Sequence, residues 1–380
     1  MKQGLKVIDG DGHLQEPMDM WENYMPQAFA HRAPNITGHT GKIIHTYGPC
    51  EIYPEGKVIA SDESTFRHME ERYGDAYRSW WAMPERLKDM DREGIDVAIA
   101  FPTNCQLLGS NVWAKDPELH AALITAYNNW AVDYCSDSDG RVMAIAHATS
   151  QDMEAGVAEI YRMAESPHVA GIFHPSMEID NSWGDEDYEP FWKALEETGI
   201  PVCWHGSASH PLAQSFDPIR KKYGALNHAL MHPVGAMLAL GGMIYGGVLE
   251  RYPNLKAAFY ESNAGWLPFW LARLDDHTEG RQGVFLRQHQ ESNGSVGLMP
   301  SEYFKRQCFI ACDADEGALK QVVEYMDGEN IIFNTDYPHP DAPFPGAVDA
   351  FLDQPISKDH MRKILWDNSV RLYGDKVPQL

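Results

Sequence analysis

The amino-acid sequence predicts an α/β fold, a (β/α)8 barrel of the TIM type that forms one domain over residues 1–380. Eight short apolar segments occur along the chain, and a helical pattern follows each of them. Continuous apolar segments are typical of parallel strands that are buried on both faces. Eight strand–helix units are the number that closes such a barrel. A doubly wound open sheet is the competing interpretation, although no GxGxxG motif follows the first strand.

The first unit is the least regular. A strand is predicted at residues 5–9, and it leads into a polar turn at residues 10–13. Residues 14–84 are rich in aromatic residues, proline and glycine, which predicts an insertion that forms a lid region over the barrel. Within this insertion, residues 42–47 and 50–53 have the pattern of a small β-hairpin.

The remaining units are regular, and they begin after a helix predicted at residues 85–93 that ends at Gly94, a usual C-terminal stop. Seven further strands are predicted at residues 95–101, 141–146, 169–173, 201–204, 255–260, 308–311 and 330–334. The helices that follow them are predicted at residues 116–136, 151–165, 187–198, 225–250, 265–278 and 316–326. Two more helices close the chain, at residues 346–353 and 358–373.

The composition excludes several classes of partner. Lys and Arg number 31 against 55 Asp and Glu, so the net charge is −24, which argues against nucleic acid or an anionic membrane surface. No segment approaches the roughly 20 apolar residues of a membrane helix, and the N-terminus has no apolar run typical of a signal peptide. The six cysteines are scattered without a CxxC motif. This predicts reduced thiols in a cytoplasmic protein.

Metal-binding side chains recur where the predicted strands end. In a (β/α)8 barrel the active site lies at the C-terminal ends of the strands. Imidazole and carboxylate groups bind zinc, manganese and iron, and they need no thiolate to do so. The sequence therefore predicts a divalent-metal site with one or two ions at this rim. Its candidate ligands are Asp11 and His13 after strand one, His205 after strand five, Glu261 after strand six, and Asp336 with His339 after strand eight.

Each of these residues also has a structural explanation when taken alone. Asp11 lies among glycines, as is common in turns. Asp336 could cap a turn, and Glu261 could form a structural ion pair. The metal interpretation is favoured because four strand ends carry ligand-type residues in the order that a barrel requires. His147 and His174, at the ends of the third and fourth strands, are weaker candidates that would bind substrate.

Five motifs together resemble one known family. They lie at residues 7–13, 201–205, 247–256, 261–268 and 334–339, and thus span nearly the whole chain. The sequence resembles the amidohydrolase-related branch of the amidohydrolase superfamily, the branch that includes aminocarboxymuconate semialdehyde decarboxylase. The resemblance implies a metal-dependent barrel enzyme in which Asp11, His13, His205 and Asp336 bind the metal.

Two positions depart from the family pattern. The first metal ligand is usually His or Glu in the family, where this sequence has Asp11. A catalytic His usually stands where this sequence has Glu261. Because a carboxylate can bridge two ions and an imidazole cannot, Glu261 with His339 would suit a second ion.

Three functions follow as hypotheses. The first, implied by the resemblance, is hydrolysis or decarboxylation of a small carboxylic acid, for example an aromatic or unsaturated one, with Asp336, His205 and Glu261 as catalytic residues. The second is a dinuclear iron monooxygenase on the same barrel, which would need an electron-donating partner. The third is a catalytically silent subunit that stabilises an active partner. In each case, we expect a homo-oligomer or a hetero-oligomer.

Overall fold

The computed structural model describes residues 1–34, 36–40, 43–47, 57–60, 63–109, 116–175, 183–206, 222, 224–279 and 296–378. Within these residues, eight parallel strands form one sheet in which each strand pairs with the next along the chain. The strands are β1 (Ile8–His13), β5 (Val97–Phe101), β6 (Val142–His147), β7 (Val169–Pro175), β8 (Val202–His205), β9 (Ala257–Phe259), β10 (Cys308–Cys312) and β11 (Ile331–Phe333). Strands β2 (Ile36–Thr40), β3 (Ile43–Tyr47) and β4 (Lys57–Ala60) form a separate sheet.

The first and last strands of the large sheet approach each other just beyond the end of β11. The backbone N–H of Asp336 donates to the carbonyl of Asp11 at 2.8 Å, and the N–H of His13 donates to the carbonyl of Tyr337 at 2.6 Å. The sheet is therefore a nearly closed barrel, which confirms the predicted fold class. The open-sheet interpretation is wrong, because the segment that follows β11 is hydrogen-bonded to β1.

The described residues also form α-helices. They are α1 (Met20–Tyr24), α2 (Glu63–Tyr73), α3 (Asp75–Arg78), α4 (Met83–Glu93), α5 (Pro117–Ser136), α6 (Met153–Glu165), α7 (Glu189–Thr198), α8 (Gly224–Tyr245), α9 (Val248–Arg251), α10 (Leu267–Thr278), α11 (Pro300–Gln307), α12 (Leu319–Met326), α13 (Ala347–Leu352), α14 (Lys358–Arg362) and α15 (Asn368–Tyr373). A π-helical turn, Lys363–Asp367, joins the last two, and 3-10 helices lie at Gln27–Arg32, Asn104–Gly109, Glu186–Tyr188 and Gly374–Lys376.

Apolar side chains fill both faces of the barrel wall. Ile99, Ile145 and Phe173 belong to the cluster inside the barrel. Neighbouring strand residues such as Ala100 and Val202 face the surrounding helices instead. Burial on both faces explains why the strands read as continuous apolar segments in the sequence.

The end of the barrel opposite the C-terminal rim is covered by helix α15. Leu372 and Tyr373 pack into the inner cluster, and the Tyr373 hydroxyl contacts the hydroxyl of Tyr260. Lys256, which directly precedes β9, donates from Nζ to the carbonyl of Arg371 at 2.8 Å. The contact with the start of β9 places α15 at the N-terminal end of the barrel.

Some predicted elements differ from the structure in their bounds. The strand predicted at residues 5–9 is wrong in its bounds, because β1 begins at Ile8 and continues through the predicted turn to His13. The long helix predicted at residues 225–250 ends at Tyr245, and a short helix follows Gly247, whose φ is 71°. In the insertion, β3 confirms one strand of the predicted hairpin and pairs with β2 and β4. Residues 50–53, the other predicted strand, lie outside the described residues.

The described cysteines are free and buried, namely Cys105, Cys135, Cys203, Cys308 and Cys312. None of the helices within the described ranges has both the length and the apolar character that crossing a membrane requires.

Candidate metal centre

Strand β1 carries the first two candidate ligands, and an irregularity in this strand sets their direction. Asp9 pairs with Ala98, but the next paired residue is Gly12, opposite Ala100, so β1 holds one extra residue. Such a bulge locally changes which side of a sheet the side chains face. It lets Ile8 and His13 both face the barrel interior although they are five positions apart.

The predicted ligands from β1, β8 and the end of β11 converge at the C-terminal rim. Nε2 of His13 and Nε2 of His205 lie 3.6 and 3.4 Å from Oδ1 of Asp11. Oδ1 of Asp336 lies 3.2 Å from Nε2 of His13 and 2.8 Å from Nδ1 of His339. Two sets of three residues thus hold ligand atoms within 4.8 Å of one another, Asp11 with His13 and His205, and His13 with Asp336 and His339.

Backbone carbonyls fix the two buried histidines in a ligand-ready form. Nδ1 of His13 contacts the carbonyl of Pro102 at 3.0 Å, and Nδ1 of His205 contacts the carbonyl of Gly206 at 2.9 Å. Because a carbonyl oxygen can only accept, Nδ1 carries the hydrogen in each ring. Nε2 is then the atom with the free lone pair, and it faces Asp11 in both cases. Metal-binding histidines are commonly oriented by such a hydrogen bond.

The atoms that face the centre lack other partners. Buried polar atoms are nearly always hydrogen-bonded, so a group of unsatisfied atoms needs an explanation. Those without a hydrogen-bond partner include both carboxylate oxygens of Asp11, Nε2 of His13, Nε2 of His205 and Oδ1 of Asp336. Two imidazole nitrogens and carboxylate oxygens are ligands that divalent cations accept. These residues therefore fit a divalent metal ion.

The charge distribution also favours a cation at this place. Burial alone would lower the pKa of His205, but the carboxylates of Asp11 and Glu261 outweigh it and raise the pKa to about 9. Burial would also lower the pKa of His339, but the Asp336 carboxylate outweighs this effect and raises the pKa to about 9. Burial would raise the pKa of Asp336, but His339 and His13 hold it well below its usual range. The carboxylates thus stabilise positive charge, which a bound metal would supply.

Two acidic residues at this rim have unusual backbone conformations. Asp336 has a φ of 57° and Glu261 a φ of 47°, which lies in the left-handed region. Residues other than glycine rarely adopt this region, and such strain is concentrated at functional sites. Asp336 lies a few positions after the end of β11, and Glu261 lies a few positions after the end of β9. Both are at the rim that carries the other candidate ligands.

Glu261 lies beside the cluster and contacts two histidines. Its Oε2 is 3.4 Å from Nδ1 of His205 and 3.0 Å from Nδ1 of His232. Burial would raise the pKa of Glu261, but the two imidazoles lower it below its usual range. The structure therefore explains how a carboxylate is held at this strand end, while its role as a bridge between two ions stays a prediction.

His232 is the residue at this site that the sequence interpretation missed. It lies in α8, a helix whose apolar composition suggested core packing, and its ring is 8% exposed. A Cβ atom at position 206 would lie 2.0 Å from Nδ1 of His232, so only glycine there leaves room for the ring. The available signal was a histidine followed by proline inside an otherwise apolar helix, close to the C-terminal rim.

The centre opens into a cavity of about 210 Å³. Among the residues that line it are Asp11, His232, Glu261, Asp313 and Asp336. Burial and the nearby carboxylates raise the pKa of Asp313 to about 7.

The two weaker candidates lie farther from the cluster. The ring of His147 packs 4.7 Å from that of Phe173 and 5.1 Å from that of Tyr127, measured between centroids. His174 lies between the barrel wall and the helices, where its ring is 4.3 Å from the ring of Trp204. Substrate binding by either histidine stays a prediction.

The sequence agrees with one family over nearly its whole length. A family model described as amidohydrolase matches residues 8–374. This chain belongs to the amidohydrolase family. The family resemblance inferred from the five motifs is confirmed.

Relatives of this amidohydrolase include decarboxylases. It is 25% identical over 260 residues to 2-amino-3-carboxymuconate-6-semialdehyde decarboxylase of Dictyostelium discoideum, with 68% of this chain and 67% of that protein covered. An amidohydrolase from Mycobacterium avium subsp. paratuberculosis K-10 superposes with a TM-score of 0.75 and 19% identity, over 98% of this chain and 100% of that one.

A second solved structure adds information on metals. The 5-carboxyvanillate decarboxylase of Novosphingobium aromaticivorans superposes with a TM-score of 0.69 and 21% identity, over 98% of this chain and 97% of that one. It was crystallised with manganese and 4-hydroxy-3-methoxy-5-nitrobenzoic acid. At these identities, the two solved structures establish the fold.

Proposed function

We propose that this amidohydrolase is a metal-dependent decarboxylase of a small aromatic or unsaturated carboxylic acid. The observation that carries the proposal is the set of buried, unsatisfied ligand atoms of Asp11, His13, His205 and Asp336 at the barrel rim. They adjoin the cavity of about 210 Å³, which is smaller than the roughly 300–1,000 Å³ typical of pockets for drug-sized ligands. Decarboxylases among the relatives favour this reaction over hydrolysis.

We propose manganese as the metal, with Asp11, His13, His205 and Asp336 as its ligands. Manganese in a solved relative supports this choice, and imidazole with carboxylate is a ligand set that manganese accepts. When bound, the cation polarises a substrate oxygen as a Lewis acid.

One ion per chain suits the geometry better than two. The two sets of ligand residues share His13, and its Nε2 atom has one lone pair for one ion. A second ion would have to use Asp336, His339 and Glu261 without His13. We therefore propose that His339 and Glu261 orient the ligands that they contact, Asp336 and His205.

The residues around the cavity supply the remaining chemistry. Loss of CO2 leaves a carbon with excess electron density, which must take up a proton from a positioned acid. His232 lines the cavity, and Glu261 contacts its Nδ1 atom at 3.0 Å. We assign delivery of this proton to the His232 ring, with Glu261 holding the ring in place. Asp336 and His205 would hold the metal, which would supply the Lewis acid for the reaction.

Metal content and CO2 release test the proposal together. Protein produced with manganese, iron and zinc available should contain about one metal per chain by elemental analysis. The manganese-loaded enzyme should release CO2 from at least one member of a panel of hydroxybenzoates and enol carboxylic acids. Asp336→Asn should abolish release, because it weakens a metal ligand. Protein that holds a metal but releases no CO2 across the panel would contradict the proposed reaction.

The other two hypotheses receive no support from the comparisons, and the same experiment separates them. Two irons per chain with reductant-dependent oxygen consumption would indicate the monooxygenase. A chain that takes up no metal would indicate the silent subunit. Oligomeric state and cytoplasmic location stay predictions.

A further inference from the structure

The metal centre explains only part of the motif at residues 9–13. Asp11 and His13 face the centre, but Asp9, Gly10 and Gly12 supply none of the ligand atoms grouped there. Asp9 is buried with 1% of its surface exposed. It lines a small space with Arg86 of α4, outside the barrel. Since a buried carboxylate is costly unless its oxygens are hydrogen-bonded, its contacts indicate what it does.

The Asp9 carboxylate binds the segment that carries Asp336. Its Oδ1 atom accepts from the backbone N–H of Thr335 at 2.9 Å, and its Oδ2 atom accepts from the Thr335 hydroxyl at 2.6 Å. That hydroxyl in turn accepts from the backbone N–H of Tyr337 at 3.2 Å. One carboxylate therefore fixes the residues on both sides of Asp336, whose own φ is 57°.

The two glycines let β1 approach this segment closely. A Cβ atom at Gly10 would lie 3.0 Å from the carbonyl oxygen of Phe333. A Cβ atom at Gly12 would lie 3.2 Å from Nη2 of Arg86 and 3.3 Å from Oδ2 of Asp9. Larger residues at either position would force the neighbouring atoms to move.

Helix α4 holds the same junction from outside. Arg86 donates from Nη1 to the carbonyl of His13 at 2.6 Å, and its guanidinium lies 5.2 Å from the centre of the Tyr337 ring. The Tyr337 hydroxyl donates to Oδ2 of Asp89 at 2.7 Å. Both ligand-bearing segments, β1 and residues 335–337, are thus attached to one helix.

We propose that Asp9 is a positioning residue of the metal centre. Its carboxylate holds residues 335–337 against β1 and so sets the separation between Asp336 and the ligands Asp11 and His13. This inference rests on the proposed metal centre but not on the proposed reaction, so it is tested by metal affinity. Removal of a residue that orients metal ligands typically weakens the affinity for the metal by about 10–100-fold.

The experiment measures the dissociation constant for Mn²⁺ by competition with a chelator, on the full chain, with thermal unfolding recorded in parallel. Asp9→Ala should weaken Mn²⁺ binding by about 10–100-fold. Thr335→Val removes only the hydroxyl contacts, so it should fold and weaken binding by a smaller factor. It therefore tests the inference even if Asp9→Ala does not fold.

Glu93→Ala is the matched control. Glu93 is a buried acid on α4, the helix that carries Arg86. Its carboxylate accepts from the backbone N–H of Gly346 at 2.6 Å. Its loss should lower the unfolding temperature and leave the Mn²⁺ dissociation constant unchanged.

Three results would overturn the inference. Unchanged Mn²⁺ affinity in folded Asp9→Ala, or in Thr335→Val, would show that the carboxylate does not position the ligands. Equal weakening in Glu93→Ala would show a general effect of lost stability. Wild-type protein that binds no Mn²⁺ would overturn the metal centre itself, whereas failure of the decarboxylation assay alone would leave this test intact.

Discussion

Replacing Gly206 with alanine tests the role of His232 without changing His232 itself. The added Cβ atom would lie 2.0 Å from Nδ1 of His232, and ordinary contact begins at 3.4 Å. The ring must therefore move by about 1.4 Å, the difference between these distances. Nδ1 is also the atom that contacts Glu261 at 3.0 Å, so this contact should break.

The expected loss of activity follows from this displacement. A misplacement of about 1 Å in an active site can cost roughly 100-fold in rate. At about 1.36 kcal/mol for each factor of ten, this corresponds to about 2.7 kcal/mol of transition-state stabilisation. We expect Gly206→Ala to lower kcat for CO2 release by about 100-fold, with Mn²⁺ affinity close to that of the wild type.

Two further variants make this test specific. Gly317→Ala is the control, because a Cβ atom there meets nothing within 4 Å, and it should retain full activity. His232→Ala removes the ring, so adding Gly206→Ala to it should cause no additional loss. Full activity in Gly206→Ala would refute the reasoning. An equal additional loss in the double variant would show that the alanine acts through another residue, such as His205.

Three other changes test the site and its surroundings. His205→Ala should lose most of the bound metal by elemental analysis and keep its circular dichroism spectrum; unchanged metal content would exclude His205 as a ligand. Glu261→Gln should lower kcat while about one metal per chain remains, and a fall from two ions to one would show instead that Glu261 is a bridge. His147, buried beside His120, has a pKa lowered to about 3. It stays neutral when folded, so stability should fall as the pH drops below about 6.5, by about 2 kcal/mol between pH 6.5 and 5. His147→Phe should remove this dependence in urea unfolding, and an unchanged slope would contradict it.

The strand ends could be predicted because they depend on local patterns. Each apolar segment has a clear end, and parallel strands of a barrel bring these ends to one rim. Asp11, His205 and Asp336 therefore lie at one rim although they are far apart in the sequence, and their binding of a metal stays a prediction.

Other features depend on tertiary contacts and left no comparable pattern. Because of the bulge in β1, the side chains of Asp9 and His13 lie on opposite sides of the sheet. Strict alternation would place them on the same side. His232 comes from a helix and reaches the site only because Gly206 leaves space for it. A sequence read element by element does not reveal a close approach between two distant elements.

The junction between Asp9 and Thr335 also has a consequence for synthesis of the protein. Its two residues are 326 positions apart in the chain. At about 5–20 residues per second, the ribosome needs roughly 15–65 s to add the second residue after the first. During that interval the nascent chain carries Asp11 and His13 without Asp336. The proposed ligand set can therefore be complete only after the ribosome has added Asp336.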